Sequence, residues 1–153
     1  MRILYVVAEA APFIKVGGLP DVAYGLPRAL RAMGHDIRVI LPRHRAIHGR
    51  AWGLRPLGPS FEVPVGLGGE TRRVEVEISE ATGVPTYFIW DEFYFGRDQV
   101  YGYPDDPQRF IFFCRAVLAF LRQMGEPPEI LHGNDWHTGF LFLWLATAGR
   151  RDR

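Results

Sequence analysis

The first 42 residues hold an apolar run, a glycine loop, an amphipathic helical stretch and a second apolar run. Few folds accept that order. Ile3-Leu4-Tyr5-Val6-Val7-Ala8 is short, β-rich and unbroken by polar residues, as a strand buried on both faces is. The loop Glu9 to Gly18 follows, with Pro12 and the pair Gly17-Gly18. From Pro20 to Met33 the residues Val22, Ala23, Leu26, Ala29, Leu30 and Met33 recur at helical spacing. Pro20 suits the first turn and Gly34 the stop, while Pro27 predicts a kink or a break. Ile37 to Leu41 is a second buried strand, ended by Pro42. A strand, a helix and a strand at this spacing form a βαβ unit, so the chain is expected to open an α/β sheet.

The middle of the chain changes character. Phe61 to Val65, Arg73 to Ile78 and Thr86 to Trp90 are strand candidates. In the second, Val74, Val76 and Ile78 alternate with charged residues, the pattern of a half-exposed antiparallel strand. Gly66-Leu67-Gly68-Gly69 predicts a hairpin turn between the first two. Asp91 to Pro107 is expected to be a long aromatic loop, and loops of that length are commonly functional or disordered. A helix is predicted from Gln108 to Met124, with Phe112, Phe113, Val117, Phe120, Leu121 and Met124 buried and Arg109 and Phe110 anchoring the loop at its start. After Pro127-Pro128 come a short strand, Glu129 to His132, a polar turn, Gly133 to Thr138, and an apolar helix, Gly139 to Ala148.

Composition narrows the classes. The chain has 153 residues, one domain's worth, with 48% hydrophobic and 23% charged residues, which excludes disorder and collagen. A formal net charge of +1 lacks the basic excess of a protein that coats nucleic acid. Cys114 is the single cysteine, so no internal disulfide is possible and a reducing compartment is expected. Ile3 to Ala8 is too short for a signal-peptide core, and Phe140 to Ala146 too short to span a bilayer. A soluble, cytoplasmic chain is the expectation. Lys15 is the only lysine among 18 basic residues. Codon bias or heat adaptation accounts for the arginines, but a site that needs a compact ammonium does not accept a planar fork.

Two constellations lie just beyond strands and just before helices, where ligands sit in open α/β sheets. In Lys15-Val16-Gly17-Gly18-Leu19-Pro20-Asp21, two glycines allow close backbone approach, a helix start favours an anion, and Lys15 adds a charge. These suit a phosphate or diphosphate. A turn that uses glycine for its geometry and carries one surface lysine is the alternative. Neither the P-loop pattern nor the dinucleotide Gly-x-Gly-x-x-Gly is present. In His132-Gly133-Asn134-Asp135-Trp136-His137-Thr138, imidazole, amide, carboxylate and indole groups concentrate as in a sugar or nucleotide pocket. The alternative there is a helix capped by Asp135 or Thr138 with Trp136 in the core. A metal is the weaker choice, because His132 and His137 miss the helical i, i+4 face and no cysteine is near. Tyr94 to Asp106, with Tyr101-Gly102-Tyr103-Pro104-Asp105-Asp106, offers aromatic faces either to a carbohydrate or to the core. His35, His44 and His48 read as surface or turn residues.

Taken together, these segments resemble a known family. Ala8-Glu9-Ala10-Ala11-Pro12-Phe13, followed by Lys15-Val16-Gly17-Gly18-Leu19-x-Asp21-Val22, is similar to the N-terminal signature of bacterial glycogen synthases and plant starch synthases. Tyr101-Gly102-Tyr103, Asp105-Asp106 and Arg109-Phe110 resemble that family's central motif, and His132-x-Asn134-Asp135-Trp136-His137-Thr138-Gly139 its Asp-Trp-His segment. The resemblance implies two Rossmann-like domains facing across a cleft, the GT-B architecture. It implies transfer of glucose from ADP-glucose to the non-reducing end of an α-1,4-glucan or glycogen, with retention and with no cofactor or metal. Lys15, Gly17 and Gly18 would contact the donor diphosphate. Glu9, Asp21 and Tyr103 would bind substrate, and Asp135 and His137 would be catalytic. Residues 1–153 would then be the Rossmann-like N-terminal domain, incomplete at its C-terminal end, without the second, nucleotide-binding domain that activity requires. The isolated chain is expected to be inactive. A non-catalytic glucan-binding or interaction module is the competing expectation, and a sucrose or sucrose-phosphate synthase is disfavoured by the lysine signature.

Overall fold

The structure, a computed structural model, describes residues 1–66 and 68–147. Its elements in chain order are β1 (Arg2–Val6), α1 (Leu19–Ala32), β2 (Asp36–Pro42), β3 (Arg55–Pro56), β4 (Phe61–Val65), β5 (Glu70–Ser79), β6 (Thr86–Trp90), α2 (Glu92–Phe95), α3 (Asp106–Leu121), β7 (Ile130–Gly133), a 3-10 turn (Trp136–Thr138) and α4 (Gly139–Thr147). Four strands run parallel in the order β6-β2-β1-β7, with Ile3 opposite both Ile37 and Ile130, and Val39 opposite Thr86. β5 joins antiparallel to β6, and β3 and β4 both pair with β5.

Each parallel strand sends alternate residues to opposite faces, and each face has its own apolar cluster. Leu4, Val6, Ile40 and Ile89 meet Phe110, Phe113 and Val117 of α3. Ile3, Tyr5, Ile37, Val39 and Leu41 meet Ala23, Leu26 and Leu30 of α1. Helices on both faces leave no polar side to these strands, which is why their sequences are continuous apolar runs. The chain leaves β1 toward β2 on one side and returns from β6 to β7 on the other. The strand order therefore reverses between β1 and β7, and open α/β sheets take their ligands beyond the carboxyl ends at such a point.

Several expectations are corrected. α1 is unbroken from Leu19 to Ala32 with Pro27 buried inside it. Its inward face carries Pro20, Ala23, Leu26, Pro27 and Leu30, whereas Val22 and Met33 are exposed. The Asp91 to Pro107 loop is interrupted by α2, because the Asp91 carboxylate accepts the Tyr94 N–H at 2.8 Å and caps it. α3 begins at Asp106, two residues before the expected start, with Pro107 in its first turn, where a missing N–H costs nothing. The Gly66–Gly69 turn joins β4 to β5 and places Gly66 at φ 67° and Gly69 at φ 78°, the left-handed region that favours glycine. Leu67 of that turn, and Ala148 at the end of the predicted last helix, lie outside the described residues. α4 has almost no polar face; Leu141 is buried, and Phe142, Leu143 and Leu145 form an exposed apolar patch.

Candidate active site

The loops that leave β1, β2, β6 and β7 meet at the carboxyl edge of the sheet. The β1 loop brings Glu9 under the start of α1. Glu9 is buried, and its Oε2 accepts the Val16 N–H at 2.6 Å, which fixes the loop entering Gly17 and Gly18. Gly18 is the N-cap of α1 and makes no side-chain capping bond, so the helix start is left open to an outside acceptor. Gly18 sits at φ −86°, and an added Cβ would meet no atom within 4 Å; at Gly17 a Cβ would meet only Glu9 Oε1, at 3.9 Å. Neither glycine is demanded by the described chain's own packing. Lys15 projects beside them and donates to both Asp21 carboxylate oxygens, at 2.7 and 2.8 Å, in a pair whose side chains are more than half exposed. Two proposed substrate-binding residues are thus partners of each other here.

The loop after β7 turns sharply. Asn134 N–H donates to the Val6 carbonyl at 3.0 Å, and its side-chain amide donates to the Tyr5 hydroxyl. Asp135 then adopts φ 67° with ψ 173°, the only positive φ at a non-glycine among the described residues. Its carboxylate accepts the Trp136 N–H at 2.6 Å, and its carbonyl accepts the Thr138 hydroxyl at 3.0 Å. Asp135 thus caps the 3-10 turn Trp136–Thr138 rather than the last helix, and Trp136 is 55% exposed and so is not a core residue. His137 is 6% exposed, packed by the rings of Tyr101, Phe110 and Trp136 at centroid distances of 4.9, 4.5 and 4.2 Å. Burial lowers its pKa, against the nearby carboxylates of Asp135 and Asp106, and leaves the ring neutral at pH 7.

Tyr101 stacks on His137, and burial together with the Glu9 charge pushes its phenol well above the usual range. It is Tyr101, not the singled-out Tyr103, that joins the Glu9–His137 cluster. Tyr103 lies beneath the guanidinium groups of Arg97 and Arg109, each 4.9 Å from its ring, and its hydroxyl accepts the Gln99 N–H. Arg109 is fully buried and anchors the loop, donating to the carbonyls of Tyr94 at 2.9 Å and Val100 at 3.0 Å and pairing with Asp106 at 2.5 Å. His44, read as a surface residue, is buried at the end of β2. Its place just past the carboxyl end of a parallel strand was the available signal. Among the described residues no group of three or more His, Cys, Asp or Glu could hold a metal ion, and no helix is long and apolar enough to cross a membrane.

A profile of the starch synthase catalytic domain matches residues 2–153. The chain belongs to the starch synthase catalytic domain family. It is 42% identical to glycogen synthase 2 of Geobacter sulfurreducens over 157 residues and 45% identical to a glycogen synthase of Caldicellulosiruptor bescii over 154. Those matches cover 99% and 100% of this chain and 32% of each relative. The catalytic domain of starch synthase IV from Arabidopsis thaliana, solved with ADP and acarbose bound, superposes with a TM-score of 0.89 at 34% identity. That match covers 99% of this chain and 31% of the other. The chain therefore spans about a third of the length of these starch and glycogen synthases. Its α/β, Rossmann-like sheet is the fold of the matching part of that catalytic domain.

Proposed function

We propose that this chain forms one wall of a retaining glucosyltransferase site that moves glucose from ADP-glucose to the non-reducing end of an α-1,4-glucan such as glycogen. In this reading residues 1–153 are the Rossmann-like N-terminal domain of a GT-B enzyme, working in the cytoplasm and completed by a second, nucleotide-binding domain. The observation that carries it is the open glycine pair: Gly17 and Gly18 leave space at an uncapped helix start that the chain itself does not fill. A diphosphate fits there, with Lys15 swinging from Asp21 onto it. Breaking the glucosyl–phosphate bond leaves negative charge on ADP, and fixed N–H donors and an ammonium at that point stabilise the transition state. The ADP bound in the Arabidopsis starch synthase IV structure is the leaving group of such a reaction. Asp135 and His137, on the loop after β7, are assigned to the transferred glucose, with Glu9, Asp21 and Tyr103 as substrate-binding residues of the cleft between the two domains.

The test is a chimaera in which this chain replaces the matching third of the Geobacter sulfurreducens glycogen synthase 2. It should incorporate glucose from ADP-glucose into glycogen. Lys15→Ala should lower kcat/KM at least about tenfold, the scale for removing a transition-state donor, with the unfolding midpoint little changed because the Lys15–Asp21 pair is exposed. A folded chimaera in which Lys15→Ala changes neither KM nor kcat refutes the assignment. Glycogen binding by a folded chimaera that transfers no glucose supports a non-catalytic module instead.

A further inference from the structure

His44 is buried to 1% exposure immediately after β2, and its Nε2 lies 2.9 Å from the Ala8 carbonyl. A carbonyl oxygen only accepts, so the proton is on Nε2 and His44 is the donor. The ring is held edge-on against Phe95, with centroids 6.2 Å apart. Its own backbone is tied on both sides, N–H to the Pro42 carbonyl at 3.0 Å and carbonyl to the Ile47 N–H at 2.9 Å. The imidazole thus reaches from a fixed point on one strand end to the peptide that joins Ala8 to Glu9 on the next. Glu9 in turn holds Val16 at 2.6 Å, one residue from Gly17. A single line of contacts runs from the end of β2 to the anion loop.

We propose that His44 is a positioning residue for the Lys15–Gly18 loop, acting from behind by a hydrogen bond to the Ala8 carbonyl that sets where Glu9 holds Val16. The ligand side of this proposal rests on the reading of that loop as a diphosphate site. The structural side does not. Burial, opposed by the Ala8 bond and helped by the charge of Arg109, lowers the His44 pKa to about 4, so the ring stays a neutral Nε2–H donor through the neutral range. The sequence marks the place of His44 past a strand end but not its bond to Ala8. The ten-residue loop is also held by the Ala11 N–H on the Pro20 carbonyl at 3.2 Å, the Ile14 N–H on the Ala10 carbonyl at 3.0 Å and the buried Phe13, and the His44 donor adds a fixed point next to its first residue, where Glu9 sets Val16.

The geometry dictates which replacements work. A glutamine amide nitrogen stands where Nε2 stands, and an asparagine amide stands nearer the Nδ1 position and falls short of Ala8. The experiment compares His44→Gln with His44→Asn in the full 153-residue chain. It reads hydrogen exchange at Val16 by mass spectrometry and the affinity for ADP by calorimetry. His44→Gln should keep both within about threefold of the parent, and His44→Asn should speed Val16 exchange and weaken ADP binding about tenfold, the scale of one lost buried hydrogen bond. Exchange along α3 in the same spectra reports that each variant is folded. Equal behaviour of the two variants at Val16 overturns the proposal, since packing alone would not tell them apart. If the parent chain does not bind ADP, the affinity is read in the chimaera, which carries the second domain; no ADP binding there refutes the diphosphate reading, while the Val16 comparison still decides the role of His44. Should both variants unfold, nitrogen-15 spectra of the parent imidazole decide it: an Nε2–H tautomer at neutral pH supports the proposal, and an Nδ1–H tautomer removes it.

Discussion

Asp135 holds a backbone conformation that glycine adopts freely and other residues seldom do, at φ 67° and ψ 173°. The carboxylate meets part of that cost by accepting the Trp136 N–H. Asparagine is strained on this backbone as aspartate is and offers an acceptor of the same shape, so Asp135→Asn should change stability by less than about 0.5 kcal/mol. Asp135→Ala should lose about 1–2 kcal/mol through the missing cap and the strained backbone. In the chimaera Asp135→Asn should nevertheless lose glucose transfer; full activity there would reduce Asp135 to a cap. His44 gives a pH prediction of opposite origin. Its pKa falls from 6.5 to about 4 on folding, chiefly through burial, with Arg109 and His137 facing it. Above pH 6.5 it is neutral folded or unfolded and contributes no difference. Between 6.5 and 4 the unfolded chain takes up a proton that the folded chain refuses, so stability falls with pH by up to about 3 kcal/mol. Chemical denaturation at pH 7 and pH 4.5 should show a smaller drop for His44→Gln than for the parent, and equal drops would contradict the buried neutral ring.

At the level of elements, the loop between α2 and α3 is rigid because arginines staple it. Arg109 spans two carbonyls and Asp106 from a fully buried position, and Arg97 holds both oxygens of Asp105 at 2.6 Å. Arg109→Met should cost about 3–5 kcal/mol, the range for breaking a buried pair and leaving its partner uncompensated. Arg109→Lys should recover only part of it, since one ammonium cannot bridge the Tyr94 and Val100 carbonyls in the planar fork geometry. Thermal or denaturant unfolding measures both. α3 also buries Cys114, whose Sγ lies 3.3 Å from the His137 carbonyl and whose thiol is pushed up to about 12 by burial. Iodoacetamide at pH 8 should therefore leave Cys114 unmodified in the folded chain and label it on unfolding. Rapid labelling of the native chain would show that α3 opens beneath the Asp135–Thr138 turn.

For the whole molecule, the exposed face of α4 has the largest consequence. Phe142, Leu143 and Leu145 are each at least 41% exposed on one short helix beside the site. An apolar patch of that kind drives association in water. The 153-residue chain should show concentration-dependent oligomers by analytical ultracentrifugation, and Leu143→Glu should shift the distribution toward monomer. A parent chain that stays monomeric at every concentration tested contradicts this.

Local patterns were enough for the parallel strands, the glycine loop and most of α3, because a strand covered on both faces must be apolar throughout and a helix packed on one face must repeat every three to four residues. The sequence also located Glu9, Asp135 and His137 just past strand ends and Lys15 just before α1, positions where open α/β sheets place their ligands. What failed was everything set by a distant partner. β3, only Arg55 and Pro56, has no pattern of its own and exists because β5 offers it an edge. Val22 and Leu26 both belong to the apolar pattern of α1, yet Val22 faces water and Leu26 packs on the sheet, because the sheet selects which stripe of α1 it covers. Pro27 is tolerated within α1 on the face turned to the sheet. His44 and Tyr101 acquire their places only when β1, β2 and β7 lie side by side, bringing Ala8 within 2.9 Å of one ring and His137 within 4.9 Å of the other. Sequence determines what each segment can bury or donate; the packing of the strands decides which of those groups meet.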